Sequence, residues 1–77
     1  MIKIWEPRYR DKTVLIATNK IQPEQDVEIQ ITKGFYKGEY KIKAEDIKNS
    51  RRELMKTKRG GESSVTVVPL SKLTKTN

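Results

Sequence analysis

Thr13-Val14-Leu15-Ile16-Ala17 contains the only unbroken apolar run of this chain, and the rest of the fold can be predicted outward from it. A short run that is rich in β-branched residues and bounded by polar residues is typical of a strand covered on both faces. The run is too short for a buried helix, and no apolar residue extends it at helical spacing. We therefore predict that residues 12–18 form the central strand of a small sheet.

Alternating apolar residues predict further strands on either side of this run. Residues 1–5 alternate and predict a first strand. Residues 25–32 show strict period two, with valine or isoleucine at every second position, which indicates a strand buried on one face. Residues 40–44 alternate apolar side chains with Lys41 and Lys43, so we expect a fourth strand whose outer face carries lysines.

Residues 51–58 fit two alternatives. A capping-box pattern from Ser50 to Glu53, with a double glycine further on, favours a helix. The other alternative is a hairpin that pairs residues 54–58 with 64–68 across the double glycine. We favour the hairpin, because the valine-rich second segment needs a strand partner and a helix would bury only one leucine and one methionine.

The chain is predicted to form one mainly β domain. Two of the strands are expected to end in a short helical turn that places one aliphatic residue, Ile47 or Leu73, on the core. About five to six short strands separated by turns are typical of a strongly bent antiparallel sheet or a partly open barrel, SH3-like or OB-like. We predict a single domain over residues 1–73 and a frayed tail over residues 74–77.

Two stretches of the chain carry a resemblance to a known group. Ile4-Trp5-Glu6-Pro7-Arg8-Tyr9 runs into the strand region of residues 11–17, and Val67-Val68-Pro69-Leu70-Ser71-Lys72-Leu73 lies near the end. Together these motifs resemble short, uncharacterised proteins of phages and prophages of Gram-positive bacteria. The resemblance implies a mobile-element setting. Because that group has no assigned activity, it implies no functional residues.

The composition excludes several kinds of site. The chain has no cysteine and no histidine, so disulfides and thiolate zinc sites are excluded and the usual general base is missing. No phosphate-cradling glycine motif occurs, and we predict a non-enzyme without a cofactor. No apolar run approaches the roughly 20 residues that span a bilayer, and the first residues do not resemble a signal peptide. We therefore expect a cytoplasmic protein with no membrane partner.

The positive charge is concentrated in the middle of the chain. The net charge is +7. Residues 1–32 carry equal numbers of cations and acids, whereas residues 33–59 carry ten Lys/Arg against four Asp/Glu. Such a local excess indicates where a polyanion would bind. The alternative is a solvated face whose lysines keep the protein in solution.

Three carboxylates are spaced by two residues. Glu24, Asp26 and Glu28 would therefore share one face of the strand predicted over residues 25–32. Clustered carboxylates suit Mg²⁺ or Ca²⁺. We favour a solvent-facing row that lysines of a neighbouring strand balance, and we predict no metal site.

Two segments of the chain mix aromatic rings with cations, a combination that holds single-stranded nucleic acid. A thin core is expected to take Trp5, Phe35 and Tyr40, which leaves Tyr9 and Tyr36 as the exposed rings. The basic residues would form one stripe if the fourth and fifth predicted strands were neighbours.

Two classes of function remain open from the sequence. The first is a small basic accessory protein that binds DNA or RNA mainly through phosphate contacts, with weak sequence preference. The second is a protein-interaction or assembly module that uses an edge strand or associates with itself, with no nucleic-acid role. The predicted nucleic-acid-binding residues are Lys41, Lys43, Arg51, Arg52, Lys56, Lys58, Arg59, Tyr9 and Tyr36.

Overall fold

A computed structural model describes residues 1–76 of the chain and confirms the mainly β class. The elements are β1 (Ile2–Ile4), β2 (Thr13–Ala17), β3 (Val27–Ile31), β4 (Gly38–Ile42), α1 (Ala44–Lys48), β5 (Arg51–Lys56), β6 (Glu62–Pro69) and β7 (Thr74–Lys75). Two 3₁₀ turns, Thr18–Lys20 and Leu70–Lys72, follow β2 and β6. None of the helical segments in residues 1–76 is long and apolar enough to cross a membrane.

The first sheet has the strand order β1-β3-β4-β7. Strict alternation predicts β3 correctly, since Val27, Ile29 and Ile31 are all buried and face the core. Strand β4 pairs with β3 antiparallel, but β1 pairs with β3 in parallel, with Ile2 beside Ile29. The predicted antiparallel pairing therefore holds for the other named strand pairs but not for β1 and β3. The parallel pair arises because the segment between β1 and β3 includes β2, which belongs to the other sheet.

The second sheet has the strand order β2-β6-β5, so the prediction that residues 12–18 form the central strand is wrong. The centre is β6, the eight-residue strand that pairs with a neighbour on each side. Strand β2 is nevertheless covered on both faces, as its apolar run predicts. Val14 and Ile16 face the core, and Thr13 on the opposite face is only 3% exposed.

The hairpin predicted beyond residue 50 is confirmed. Strands β5 and β6 pair antiparallel with Leu54 opposite Ser64. Strand β5 begins at Arg51 and ends at Lys56, both earlier than we predicted, so the predicted pairing of residues 54–58 with 64–68 is shifted. The turn closes with the Thr57 N–H donating to the Gly61 carbonyl at 2.8 Å. The helix alternative fails because the Ser50 hydroxyl donates back to the Asp46 carbonyl of α1, at 2.7 Å, and so does not cap a following helix.

Both short helical turns lie where the sequence predicts them. Ile47 of α1 is 6% exposed and packs in the core, and Leu73 packs against the core after the second 3₁₀ turn. The predicted frayed tail is wrong at its start, because β7 pairs with β4, with Lys75 opposite Tyr40. This pairing covers an edge that β4 would otherwise expose. Residue 77 lies outside the described residues.

The core lies between the two sheets. It is built almost entirely from isoleucine and valine, whose branched side chains suit a pleated, half-buried surface. No barrel closes within residues 1–76, and the SH3-like or OB-like architecture stays a prediction. The buried core residues are Ile4, Val14, Ile16, Val27, Ile29, Ile31, Ile42, Ile47 and Val68.

Candidate nucleic-acid interface

Two loops that are distant in the sequence meet at one end of the molecule. The parallel pairing of β1 and β3 continues past the strands, with the Thr32 N–H donating to the Ile4 carbonyl at 2.9 Å and the Lys33 N–H to the Trp5 carbonyl at 3.0 Å. The loop that follows β1 is therefore held beside the loop that follows β3. This contact joins the two aromatic-rich segments that the sequence singles out.

Four aromatic residues lie on these two loops, and we call them the aromatic surface: Trp5, Tyr9, Phe35 and Tyr36. The Tyr36 ring lies 6.3 Å from the Tyr9 ring and 6.2 Å from the Phe35 ring, centroid to centroid. Phe35 is 96% exposed, Trp5 68% and Tyr9 46%, whereas Tyr36 is half-buried against the core. Three large rings thus stand in solvent on two adjoining loops.

The expected exposure of the rings is partly wrong. Trp5 and Phe35 were predicted to be packed, yet both are exposed; Tyr36 was predicted to be exposed, yet it is half-buried. Tyr9 is exposed and Tyr40 is half-buried, as predicted. The physical reason is that β-branched aliphatic residues fill the space between the sheets, so this core does not need the large rings.

The aromatic surface is anchored by contacts to the sheet and the loop backbone. The Tyr40 hydroxyl donates to the Tyr36 carbonyl at 2.7 Å. Gly34 has φ +93°, and a Cβ at this position would come within 2.5 Å of the Tyr9 hydroxyl oxygen. The Tyr9 side chain therefore lies directly over a backbone position that only glycine can occupy without strain.

One cation contacts a ring of this surface, and two others lie in the same loops. The Lys33 Nζ lies 4.9 Å from the centre of the Trp5 ring, a cation–π distance. Arg10 and Lys37 lie exposed in the same two loops. The surface therefore combines ring faces with positive charge over a short distance.

Most of the basic residues predicted from the sequence lie elsewhere. Strands β4 and β5 belong to different sheets, so the predicted continuous stripe is wrong. Lys41 lies on the outer face of the first sheet, opposite Glu28 of β3, and Lys43 precedes α1. Lys41 therefore occupies the cross-strand position from which a neighbouring lysine is expected to balance that carboxylate.

Arg51 is held in an ion-pair network over the outer face of the second sheet. Its guanidinium lies 3.2 Å from an Asp11 oxygen and 3.0 Å from a Glu53 oxygen, and Arg8 contacts the same two carboxylates at 2.6 and 3.1 Å. The network lies over the face that carries Thr13 and Val67, both almost fully buried. The four charges therefore balance one another and cover a sheet face.

The network shifts the pKa values of Asp11, Glu53 and Arg8. Hydrogen bonds from Arg8, and then from Thr13, hold the pKa of Asp11 well below its ordinary value. Hydrogen bonds from Arg8 and Arg51 lower the pKa of Glu53, and hydrogen bonds to Asp11 and Glu53 raise the pKa of Arg8. Arg51 is thus engaged within the protein and is a poor candidate for phosphate binding.

The remaining predicted cations lie toward the far end of the hairpin. Arg52 lines a cavity of about 730 Å³ between α1, residues 21–25 and the second sheet. Lys56, Lys58 and Arg59 lie at or next to the turn, at the end of β6 that begins with Glu62. Tyr9 lies near the opposite end, since its neighbour Arg8 bridges to Thr13, which pairs with Pro69. An eight-residue strand at about 3.3 Å per residue separates these ends by more than roughly 20 Å.

The predicted row of carboxylates does not form. Strand β3 begins only at Val27, so Glu28 is the single member of the row within it. Asp26 accepts a hydrogen bond from the Ala44 N–H at 2.9 Å and thereby holds the start of α1. Within residues 1–76, no group of three or more acidic side chains is arranged to hold a metal ion.

Comparison with known proteins does not help to assign a function to this site. No family model, no curated protein and no solved structure matches the chain. The resemblance to phage and prophage proteins therefore stays a prediction, as do the non-enzymatic role and the cytoplasmic location.

Proposed function

We propose that this protein binds single-stranded nucleic acid at the aromatic surface. Bases stack on Trp5, Phe35 and Tyr9, and the neighbouring cations contact phosphates. The observation that carries the proposal is the exposure of these rings, 68%, 96% and 46% respectively, in two loops that the fold brings together. The half-buried Tyr36 ring supports this surface, because the rings of Tyr9 and Phe35 both pack against it.

The chemistry of the rings favours a single strand. Exposed aromatic side chains that cluster are a mark of an interaction surface. Every base has a π face, so stacking on aromatic rings retains nucleic acid with little sequence preference. In a duplex those faces are already stacked on neighbouring base pairs, so a single strand offers them more readily.

The cations determine how binding depends on salt. Lys33 lies beside the Trp5 ring, Lys37 and Arg10 lie exposed in the same two loops, and the three would displace counterions from the backbone of the strand. The hairpin cations Lys58 and Arg59 lie beyond a Debye length of about 8 Å from this surface at physiological salt, so they contribute weakly. This assigns phosphate contacts to the loops rather than to the stripe predicted from the sequence.

The first test uses the single tryptophan of the chain as a reporter. Labelled single- and double-stranded oligonucleotides are titrated at two salt concentrations about fourfold apart. We expect quenching of Trp5 fluorescence by single strands, with micromolar affinity that falls as salt rises. DNA and RNA strands of the same sequence are compared in parallel.

Three outcomes would overturn the proposal. Binding that leaves Trp5 fluorescence unchanged would place the nucleic acid away from the aromatic surface. An equal or greater affinity for the duplex would remove the argument from stacking. Absence of binding at low salt would reduce the positive charge of the chain to a role in solubility.

A further inference from the structure

Strand β5 has a free edge. In the second sheet it pairs with β6 on one side, and within residues 1–76 no strand pairs with its other side. It is six residues long, and all of them except Glu53 are exposed. A strand of this kind presents unpaired N–H and C=O groups, which can accept an additional strand.

The side chains at this edge show what kind of strand fits. Alternation places Arg52, Leu54 and Lys56 on one face of β5, the face that points toward the core side of the second sheet. Within the described residues, neither Arg52 nor Lys56 forms an ion pair, although Lys56 lies opposite Glu62 on the β6 side of the strand. Leu54 lies between them and is 70% exposed. Along the strand, this face therefore carries a cation, an aliphatic side chain and a second cation.

The opposite face of β5 is already engaged. Arg51 and Glu53 are held in the ion-pair network with Arg8 and Asp11. The specificity of an added strand must then come from the face that carries Leu54. On that face Arg52 also lines the cavity of about 730 Å³, whose walls include Ile21 and Ile47, so apolar surface lies close to the edge.

A second copy of the chain pairs poorly with this edge in the longest registers. If two β5 strands paired antiparallel over their full length, Arg51 would lie opposite Lys56 at both ends. A shift by one residue would place Arg52 opposite Lys56, or Glu53 opposite its own copy. Like charges directly opposite each other destabilise a sheet, so every one of these registers is disfavoured.

We propose that the free edge of β5 binds an extended acidic peptide segment of a partner protein by strand addition. The segment carries carboxylates at two positions that flank an aliphatic residue, all three on one face, so that they lie opposite Arg52, Leu54 and Lys56. This gives opposite charges at both cross-strand pairs and an apolar contact between them. The site and the partner class are distinct from those of the aromatic surface.

The test uses two labelled peptides of identical composition. The patterned peptide contains Glu-Thr-Leu-Thr-Glu between serines, and the scrambled peptide contains Glu-Glu-Thr-Leu-Thr. Fluorescence anisotropy should show about tenfold tighter binding of the patterned peptide, because only its carboxylates match the spacing of the cations. Amide hydrogen exchange should slow in β5 on binding, since added backbone hydrogen bonds protect the edge.

Charge reversal supplies the matched variants. Arg52→Glu/Lys56→Glu should weaken the patterned peptide by about tenfold or more and should bind a peptide in which lysines replace the two glutamates. Lys3→Glu/Lys41→Glu, which reverses two charges on the outer face of the first sheet, is the control and should change the affinity less than about twofold. Circular dichroism of both variants checks that they are folded.

Three outcomes would overturn the proposal. Equal affinity for the scrambled peptide would show attraction by net charge alone. Displacement of both peptides by an oligonucleotide, with no preference between them, would assign the hairpin to nucleic acid. Absence of binding would leave the edge cations with the role of preventing edge-to-edge pairing. Because Phe35→Ala should leave peptide binding unchanged, failure here is distinct from failure at the aromatic surface.

Discussion

The aromatic surface and the β5–β6 hairpin lie toward opposite ends of the molecule, and both expose apolar and basic side chains. They differ in how the chain builds them. The hairpin is continuous in the sequence and takes its cations from the most basic segment. The aromatic surface is assembled from two loops about thirty residues apart, held together by the hydrogen bond from Lys33 to Trp5. The local excess of positive charge in the sequence therefore indicates the hairpin. The sequence also shows the two aromatic segments, but only the fold shows that they lie side by side.

The two regions also differ in their attachment to the core. Tyr36 packs against the core, and its carbonyl accepts a hydrogen bond from Tyr40. The outer part of β5 packs mainly on β6, and Leu54 stands largely in solvent. An anchored surface holds aromatic rings rigidly in place so that bases can stack on them. A free strand edge suits a partner that adds backbone hydrogen bonds. This difference makes the two regions separable by mutation.

Removal of two rings should give the largest effect. In Tyr9→Ala/Phe35→Ala, the affinity for single-stranded oligonucleotides should fall by about 1–3 kcal/mol for each lost base stack, read from quenching of Trp5. The matched control is Leu54→Ala/Met55→Ala, which removes two exposed apolar side chains from the hairpin and should leave the affinity unchanged. If the hairpin variant lost as much affinity as the ring variant, nucleic-acid binding could not be assigned to the aromatic surface.

Reversal of charge should sharpen the same contrast with a smaller effect. Lys33→Glu/Lys37→Glu should weaken binding and should lower the slope of log affinity against log salt by about 0.7 for each lost phosphate contact. The control is Lys58→Glu/Arg59→Glu at the hairpin turn, which changes the net charge of the chain by the same amount at the far end of the molecule. An equal loss of slope in the hairpin variant would show that net charge, rather than position, controls binding.

Glycine substitutions compare the two ends in stability. Gly34 and Gly60 both have positive φ, +93° and +83°, so an alanine at either position costs about 1–2 kcal/mol. A Cβ on Gly34 would also meet the Tyr9 hydroxyl, whereas a Cβ on Gly60 meets nothing within 4 Å. Urea denaturation should therefore show a larger loss for Gly34→Ala than for Gly60→Ala. The reverse order would mean that Tyr9 moves away at little cost.

Much of the fold can be predicted because the patterns are local. The alternation in β3, the need of the valine-rich β6 for a strand partner, and the positions of Ile47 and Leu73 all depend on neighbouring residues. The strand order cannot be predicted in this way. The apolar run of β2 suggests a central strand, yet what covers its outer face is the loop that contains Arg8 and Asp11. A loop can bury a strand face as well as a second layer can.

The candidate site is predicted less well for a related reason. Tyr9 was identified because it lies between charged residues, but Trp5 and Phe35 were assigned to a core that isoleucine and valine already fill. The distribution of cations along the chain gives no information on Arg51, whose partner Asp11 lies forty residues away. Partners so distant in sequence meet only through the fold. One local signal could have indicated an exposed ring. Residues 1–5 alternate between the two faces of the sheet, so Trp5, which follows the buried Ile4, is expected to point away from the core.

The smallest expected effect concerns the ion-pair network, which joins the loop beside the aromatic surface to the start of the hairpin. The pKa values of Asp11 and Glu53 are lowered in the folded protein, mainly by Arg8. Their contribution to stability is therefore fully present above the unfolded values of about 4 and is lost as the pH falls through the folded values. Thermal melts at pH 7 and at about pH 2 should show a smaller difference in Asp11→Asn/Glu53→Gln than in the unaltered protein.

Salt and a hairpin control test whether that difference belongs to the network. Glu62→Gln removes a carboxylate near the hairpin turn and should keep the full loss of stability at acid pH. Because the network lies at the surface, about 1 M salt should screen its charges and bring the melting temperatures of the double variant and the unaltered protein together. If the double variant kept the whole acid-dependent loss, the network would not stabilise the fold, and the loop and the hairpin would be joined by the packing over Val67 and Thr13 alone.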